Sequence, residues 1–274
     1  MKIFLSILTI LILAFITITH TNKTTVAKLE KTSKKELTSY IKAFPWEDYQ
    51  ICHIPDLQAN FYVDDLPDSI KSHLRQGIYW EGGIGNIVKT YTKPNSIAID
   101  LGAHIGIHTL TMSRMVGKKG QVIAFEPQKK IFRELIHNMQ LNNCKNVIAL
   151  RNAVGNEHKW IQMEKADPTN EGGTSIGSGG DFAYMITLDS LHLSNVSFIK
   201  MDVESSELLV LKGAKNTLIK NKPVIVFEIL GEIDLDNCSQ ENQALYFETT
   251  SFLENLGYKV NRIFGNDFIA FPNS

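Results

Sequence analysis

Ile97-Ala98-Ile99-Asp100-Leu101-Gly102-Ala103-His104-Ile105-Gly106 joins an apolar run of strand length to a turn carrying two glycines. Without a Cβ, each glycine lets the chain turn sharply and bring backbone close to a ligand at the start of the following helix. On either side of this stretch the pattern is regular. Strand-length runs at residues 96–101, 121–126, 147–151, 196–201 and 224–229 alternate with amphipathic stretches at 105–116, 129–142, 206–221 and about 240–256. Such alternation predicts βαβ units and a parallel sheet covered on both faces, the α/β class. Residues 258–264, the turn Gly265-Asn266 and residues 267–271 read as an antiparallel hairpin closing the sheet. Between 153 and 189 the rhythm breaks into short strand-like pieces (159–164 and 184–188) around the Gly-rich loop 172–180.

In open α/β sheets ligands bind beyond the carboxyl ends of the strands. The five predicted strands end at or beside Asp100, Glu126, Asn152, Asp202 and Glu228. One acid there is commonly a helix cap, but four carboxylates and an amide on one rim point to a binding site. The glycine spacing is Gly-x-x-x-Gly with an acid two residues ahead, whereas a dinucleotide fingerprint wants Gly-x-Gly-x-x-Gly. An acid at that place repels a pyrophosphate and suits the amino group of an amino-acid tail. Glu126 then ends the next strand, where a carboxylate can accept both ribose hydroxyls. The reading is a site for S-adenosylmethionine rather than NAD, held by Asp100, Gly102, Ala103, His104, Gly106, Glu126, Asn152 and Asp202.

These residues also carry a resemblance. Residues 99–126 with Pro127, the loop Gly172-Gly173-Thr174-Ser175, Phe198-Ile199-Lys200-Met201-Asp202-Val203-Glu204, and the following run from Glu207 to Ala214 resemble the FkbM family of S-adenosylmethionine-dependent methyltransferases. The resemblance spans about half the chain, with the motifs in the family's order. It implies a Rossmann-like class I methyltransferase fold with a mostly parallel seven-stranded sheet. It also implies methyl transfer to a hydroxyl of a sugar, lipid or other small molecule. Where the family commonly has Gly after Asp-Val-Glu, this chain has Ser205-Ser206. Methyl transfer needs an acceptor aligned with the methyl carbon and a group that takes its proton. Glu204, Asp202 and Glu228 are the catalytic candidates, Asp202 toward the methionine end and Glu204 toward the acceptor. An NAD-dependent oxidoreductase on a similar sheet and a catalytically inactive tethered binding module are the alternatives.

Composition narrows the partners. The 274 residues include 28 basic and 29 acidic side chains for a formal net charge of −1, so nothing attracts a polyanion overall and nucleic acid is not expected. Cys52, Cys144 and Cys238 are widely spaced, without a Cys-x-x-Cys pair for zinc, and no metal is expected. His104 and His108, four apart, lack an evident third ligand. Residues 3–18 are uncharged and would span about 24 Å as a helix, which reads as a signal anchor or signal peptide over 1–20. A Lys-rich tether and a lead-in of short helices and turns follow over 21–95, before the methyltransferase domain expected over 96–274. Flanking lysines favour a cytosolic bulk, while sequons at Asn22, Asn195 and Asn237 oppose it, leaving the side of the membrane open. Trp46, Trp80 and Glu81 in the lead-in are read as packing residues or as walls of an acceptor pocket.

Overall fold

The computed structural model describes residues 27–29, 31, 48–229 and 239–273. The expected membrane segment, most of the tether, Trp46, Asn22, Asn237 and Cys238 lie outside the described residues. Among the described residues no helix is long and apolar enough to cross a membrane.

The chain begins with a hairpin of β1 (Tyr49–Ile54) and β2 (Ala59–Asp64), then α1 (Ser69–Arg75) and α2 (Gly82–Tyr91). The α/β alternation follows: β3 (Ile97–Leu101), α3 (Ile107–Val116), β4 (Gln121–Phe125), α4 (Lys129–Leu141) and β5 (Val147–Leu150). Short β6 (Asn152–Val154) leads to β7 (Lys159–Glu164) and β8 (Gly179–Ile186), which form a separate three-stranded sheet in the order β6-β8-β7. The chain then returns through β9 (Val196–Met201), α5 (Glu207–Gly213), α6 (Lys215–Asn221), β10 (Val224–Glu228), α7 (Gln240–Asn255), β11 (Tyr258–Phe264) and β12 (Asp267–Pro272).

The main sheet has seven strands in the order β11-β12-β10-β9-β3-β4-β5. Five are parallel, and the hairpin β11-β12 closes one edge by pairing antiparallel with β10. The order reverses at β3, the first strand of the alternation, and the crevice therefore opens above its carboxyl end. This is the class I methyltransferase fold expected from the sequence.

Both faces of the sheet are covered, and β3 shows how the sequence arranges this. Ile97, Ile99 and Leu101 point to one face, where they pack with Val210, Leu211, Leu218 and Leu253 of α5, α6 and α7. Ala98 points to the other, against Ile84 and Val88 of α2 and Met112 and Val116 of α3. Each fully buried aliphatic side chain of this kind contributes roughly 1.5–3 kcal/mol.

Three expectations are corrected. The lead-in is not only helices and turns: Pro55 starts the single-turn link between β1 and β2 instead of preventing strands. The helix expected over 206–221 is two helices. A Cβ on Gly213 would lie 1.9 Å from the Gly155 carbonyl oxygen, so α5 ends pressed on backbone, and Asp189 accepts the Asn216 and Thr217 amides to start α6 afresh. Asn152 does not end the third strand; it opens β6 and donates to the Tyr184 carbonyl at 2.9 Å.

Candidate active site

The turn after β3 is built as its glycines suggest. Gly102 has φ 73° and Gly106 φ 96°, and a Cβ on Gly102 would lie 1.8 Å from the Asp202 carbonyl oxygen. Only glycine lets the turn lie this close to the end of β9. The Gly102 and Ala103 amides donate to the Phe125 carbonyl, tying the turn to the end of β4.

Two clefts open there and share a seam. The first, about 540 Å³ of open space, has apolar walls from Leu101, Phe125, Val154, Met163 and Val203, with Glu126, Asn152, Asp202 and Glu204 among its polar lining. The second, about 750 Å³, is lined by Trp80, Glu81, His104, Asn170, Asp202, Glu204 and Glu228. Gly102, Glu126, Gly172, Asp202 and Glu204 face both. The loop 172–180 is accordingly a wall of the first cleft through Gly172, Thr174 and Ile176.

Glu126 is nearly buried and takes the Gln128 amide on one carboxylate oxygen (2.9 Å) and the His104 amide on the other (3.1 Å). Burial outweighs these bonds and raises its pKa to about 7. Asp100 is placed differently from the expectation of ligand contact. It is wholly buried on the α3 face, where one oxygen accepts from Thr109 Oγ1 at 2.5 Å and its strand partner is Lys200. It lines neither of the two large clefts, and its burial raises its pKa. Ala103 lines a small side branch, while Gly106 caps α3 away from both clefts. His104 faces the second cleft with both ring nitrogens shielded and without hydrogen-bond partners among the described residues; burial lowers its pKa to about 4, keeping the ring neutral.

The acidic rim is larger than the sequence suggested. Glu228 and Asp267 are direct partners across β10 and β12, so two carboxyls stand side by side on one face of the sheet. Burial, with Asp202 as the next contributor, raises Glu228 to about 8. Burial and the nearby Glu81 raise Asp267 to about 7, and burial with Asp202 raises Glu204 to about 7. One cation, Lys200, is buried on β9 and holds Asp202 at 3.1 Å. Glu81 behaves oppositely. Burial works against its charge, but His108, at 3.0 Å, and Lys200 prevail and hold it ionised, with a pKa of about 2. The two histidines part company: His108 anchors Glu81, and His104 faces the cleft.

Lys200 and Asp267 were missed by the sequence reading. A lysine inside the apolar run Phe198-Ile199-Lys200-Met201 was a visible signal, since a fully buried lysine needs a carboxylate partner. Backbone strain also marks the site: Glu204 and Ser205 are consecutive non-glycine residues with φ 53° and 67°.

A second charged cluster lies nearby. Lys71, fully buried on α1, reaches Asp64 of β2 (2.9 Å), Glu134 of α4 (3.0 Å) and Glu171 (2.5 Å). Lys130 bridges Asp64 and Glu171 from the solvent side. The three carboxylates lie close enough to hold a metal ion, but the Lys71 ammonium takes that position. The cluster pins Glu171, and with it the adjoining Gly172 wall, to the hairpin and α4.

Several known proteins are similar to this chain. Residues 100–260 match the model of the methyltransferase FkbM domain. The chain is 30% identical over 189 residues to the hexuronic acid methyltransferase AglP of Haloferax volcanii, covering 67% of this chain and 75% of that one. Among solved structures, methyltransferase FkbM from Methylobacillus flagellatus is similar over 76% of this chain and 55% of its own (16% identity, TM-score 0.45). Aeropyrum pernix fibrillarin with natively bound S-adenosyl-L-methionine is similar over 85% of this chain and 86% of its own (11% identity, TM-score 0.46).

Proposed function

The chain belongs to the FkbM methyltransferase family, and from that premise we propose that it methylates a hydroxyl oxygen of a sugar, lipid or other small molecule. The methyl donor is S-adenosylmethionine, which supplies an electrophilic methyl on a sulfonium. The residues present fit it. The first cleft offers apolar walls for an adenine, Glu126 keeps lone pairs for ribose hydroxyls, and the bare Gly102 leaves room where a Cβ would collide.

A donor lying in the first cleft has to present its methyl to an acceptor in the second, at the seam faced by Asp202 and Glu204. The observation that carries the reading is the pair of carboxyls at this seam and just beyond it, Glu204 near 7 and Glu228 near 8. A hydroxyl gives up its proton as its oxygen attacks, and a general base works best with a pKa near the working pH. Glu204, facing both clefts, is the proposed base; Asp202, fixed by Lys200, positions the donor; Glu228 lines the acceptor side. Trp80 offers a flat apolar face against which a sugar ring can stack. AglP acts on a hexuronic acid, which supports a sugar-like acceptor.

The test is methyl transfer from labelled donor to glycan and lipid fractions, with wild type and Glu204→Gln. The expected label is an ether, stable to mild base. The variant should lose on the order of 10²–10⁴-fold in turnover while donor affinity stays within about threefold. A base-labile ester label, or loss of donor affinity accounting for all lost turnover, would overturn the hydroxyl-directed role of Glu204. The inactive-module alternative predicts no label with any fraction.

A further inference from the structure

Formal charge in the second cleft does not balance. Glu81 is paired with His108, and Asp202 with Lys200. Glu204, Glu228 and Asp267 have no hydrogen-bond or ion-pair partner among the described residues, although all three are partly enclosed and the last two stand directly opposite each other. Like charges directly across a strand pair destabilise a sheet. Open space next to them, the second cleft at Glu204 and Glu228 and a smaller cavity of about 220 Å³ at Glu228 and Asp267, is where a compensating positive charge can enter.

We propose that this carboxyl group cluster exchanges a proton for the sulfonium charge of the donor: it releases a proton when S-adenosylmethionine binds, and recovers one from the acceptor hydroxyl during methyl transfer. The inference rests on the methyltransferase reading above and adds to it a coupling between donor binding and protonation.

The groups facing Glu228 make the exchange possible. Asp267 faces it from β12, Asp202 and Glu204 from the end of β9, and Glu81 from the start of α2. Lys200 is the cation behind them, His104 flanks them from the turn, and His108 stands behind Glu81. Lys200 and Glu81 keep fixed charges and His104 stays neutral, so the protons reside on Glu204, Glu228 and Asp267, and on Glu126 and Glu207, which burial also raises to about 7. At neutral pH Glu204, Glu228 and Asp267 hold part of their protons, because burial, with the charges of Asp202 and Glu81 nearby, lifts their pKa values to about 7 or 8. A sulfonium arriving at the seam favours their ionised form, and a proton leaves to solvent. In the transfer itself the C–S bond breaks as the O–CH₃ bond forms. The sulfur keeps the bonding pair and becomes a neutral thioether, and the hydroxyl proton passes to the cluster. The cleft thus holds the same net charge before and after the reaction.

S-adenosylmethionine and S-adenosylhomocysteine share adenine, ribose, ammonium and carboxylate, so comparing them isolates the sulfonium and cancels any titration of Glu126. Isothermal titration calorimetry of the full chain, in buffers of different ionisation enthalpy at pH 7, counts protons. The expected result is release of about half to one proton with S-adenosylmethionine and near zero with S-adenosylhomocysteine. The ratio of their dissociation constants should shift about tenfold in favour of S-adenosylmethionine between pH 6 and pH 8. In Glu228→Gln the proton release and the pH shift should fall by half or more while S-adenosylhomocysteine still binds, which also reports that the variant is folded. Equal proton counts for the two ligands, or a ratio that does not change with pH, would overturn the exchange and leave the methyltransferase reading intact. If neither ligand binds the wild type, the functional reading fails and the exchange with it.

Discussion

Two clusters of acid lie a short way apart in this molecule, one buried and one partly exposed, and they are handled in opposite ways. Around Lys71 three carboxylates meet two ammonium groups at distances between 2.5 and 3.6 Å, and Tyr49 adds a hydrogen bond to Glu134 at 2.6 Å. Around Glu228 the carboxyls of Glu204 and Asp267 are crowded together without partners among the described residues. The first arrangement gives each of its three carboxylates an ammonium partner, with Lys71 in the place a ligand cation would take. The second leaves charge unsatisfied at a cleft, which costs stability and makes sense only if something else arrives. Completeness of pairing, more than the number of acids, separates a structural cluster from a functional one.

The sharpest way to break this contrast is to remove the cation from the first cluster. Lys71→Met leaves buried carboxylates short of a partner and should lower stability by about 3 kcal/mol or more, read from urea denaturation. A loss below about 1 kcal/mol would mean that Lys130 alone compensates the cluster. The reverse holds for the second cluster. Glu228 has a pKa near 8 in the fold against an ordinary 4.5, so the folded state holds its proton more tightly than the unfolded chain. Its contribution is fully present below about pH 4.5 and is lost as pH rises through 8. Glu228→Gln should therefore match wild type near pH 5 and be the more stable protein at pH 8.5, measured as the shift in urea midpoint. A midpoint difference independent of pH would contradict the crowding. The smallest effect is expected at Ser205. Its left-handed backbone is strained and its side chain exposed, so Ser205→Gly should gain about 1 kcal/mol. No gain would mean that the strain is relieved locally.

The contrast also explains what the sequence made readable. The alternation from β3 to β12 is written in local periodicity, because each strand and helix must bury its own apolar face. Glycine spacing and acids at strand ends located the rim for the same local reason. Partnership is another matter: Lys71 and Glu171 lie 100 residues apart, and Asp267 meets Glu228 only through a hairpin that folds back on the sheet edge. Asp100 shows the converse. It sits where a ligand-binding acid would, yet it is sealed beneath α3 with Lys200 as its strand partner. The hairpin β1-β2 was hidden because prolines signal interruption, and here Pro55 sits in the interruption itself.

The fastening of Glu171 has a consequence for time as well as place. Asp64 and Lys71 precede residue 100, where the family match starts, yet they grip the segment that walls the first cleft. Loosening that grip at Lys71 would leave the turn and the bonds of Glu126 in place. A donor held in the first cleft would then find the same cradle and leave it sooner, which gives the front of the chain an expected part in residence time.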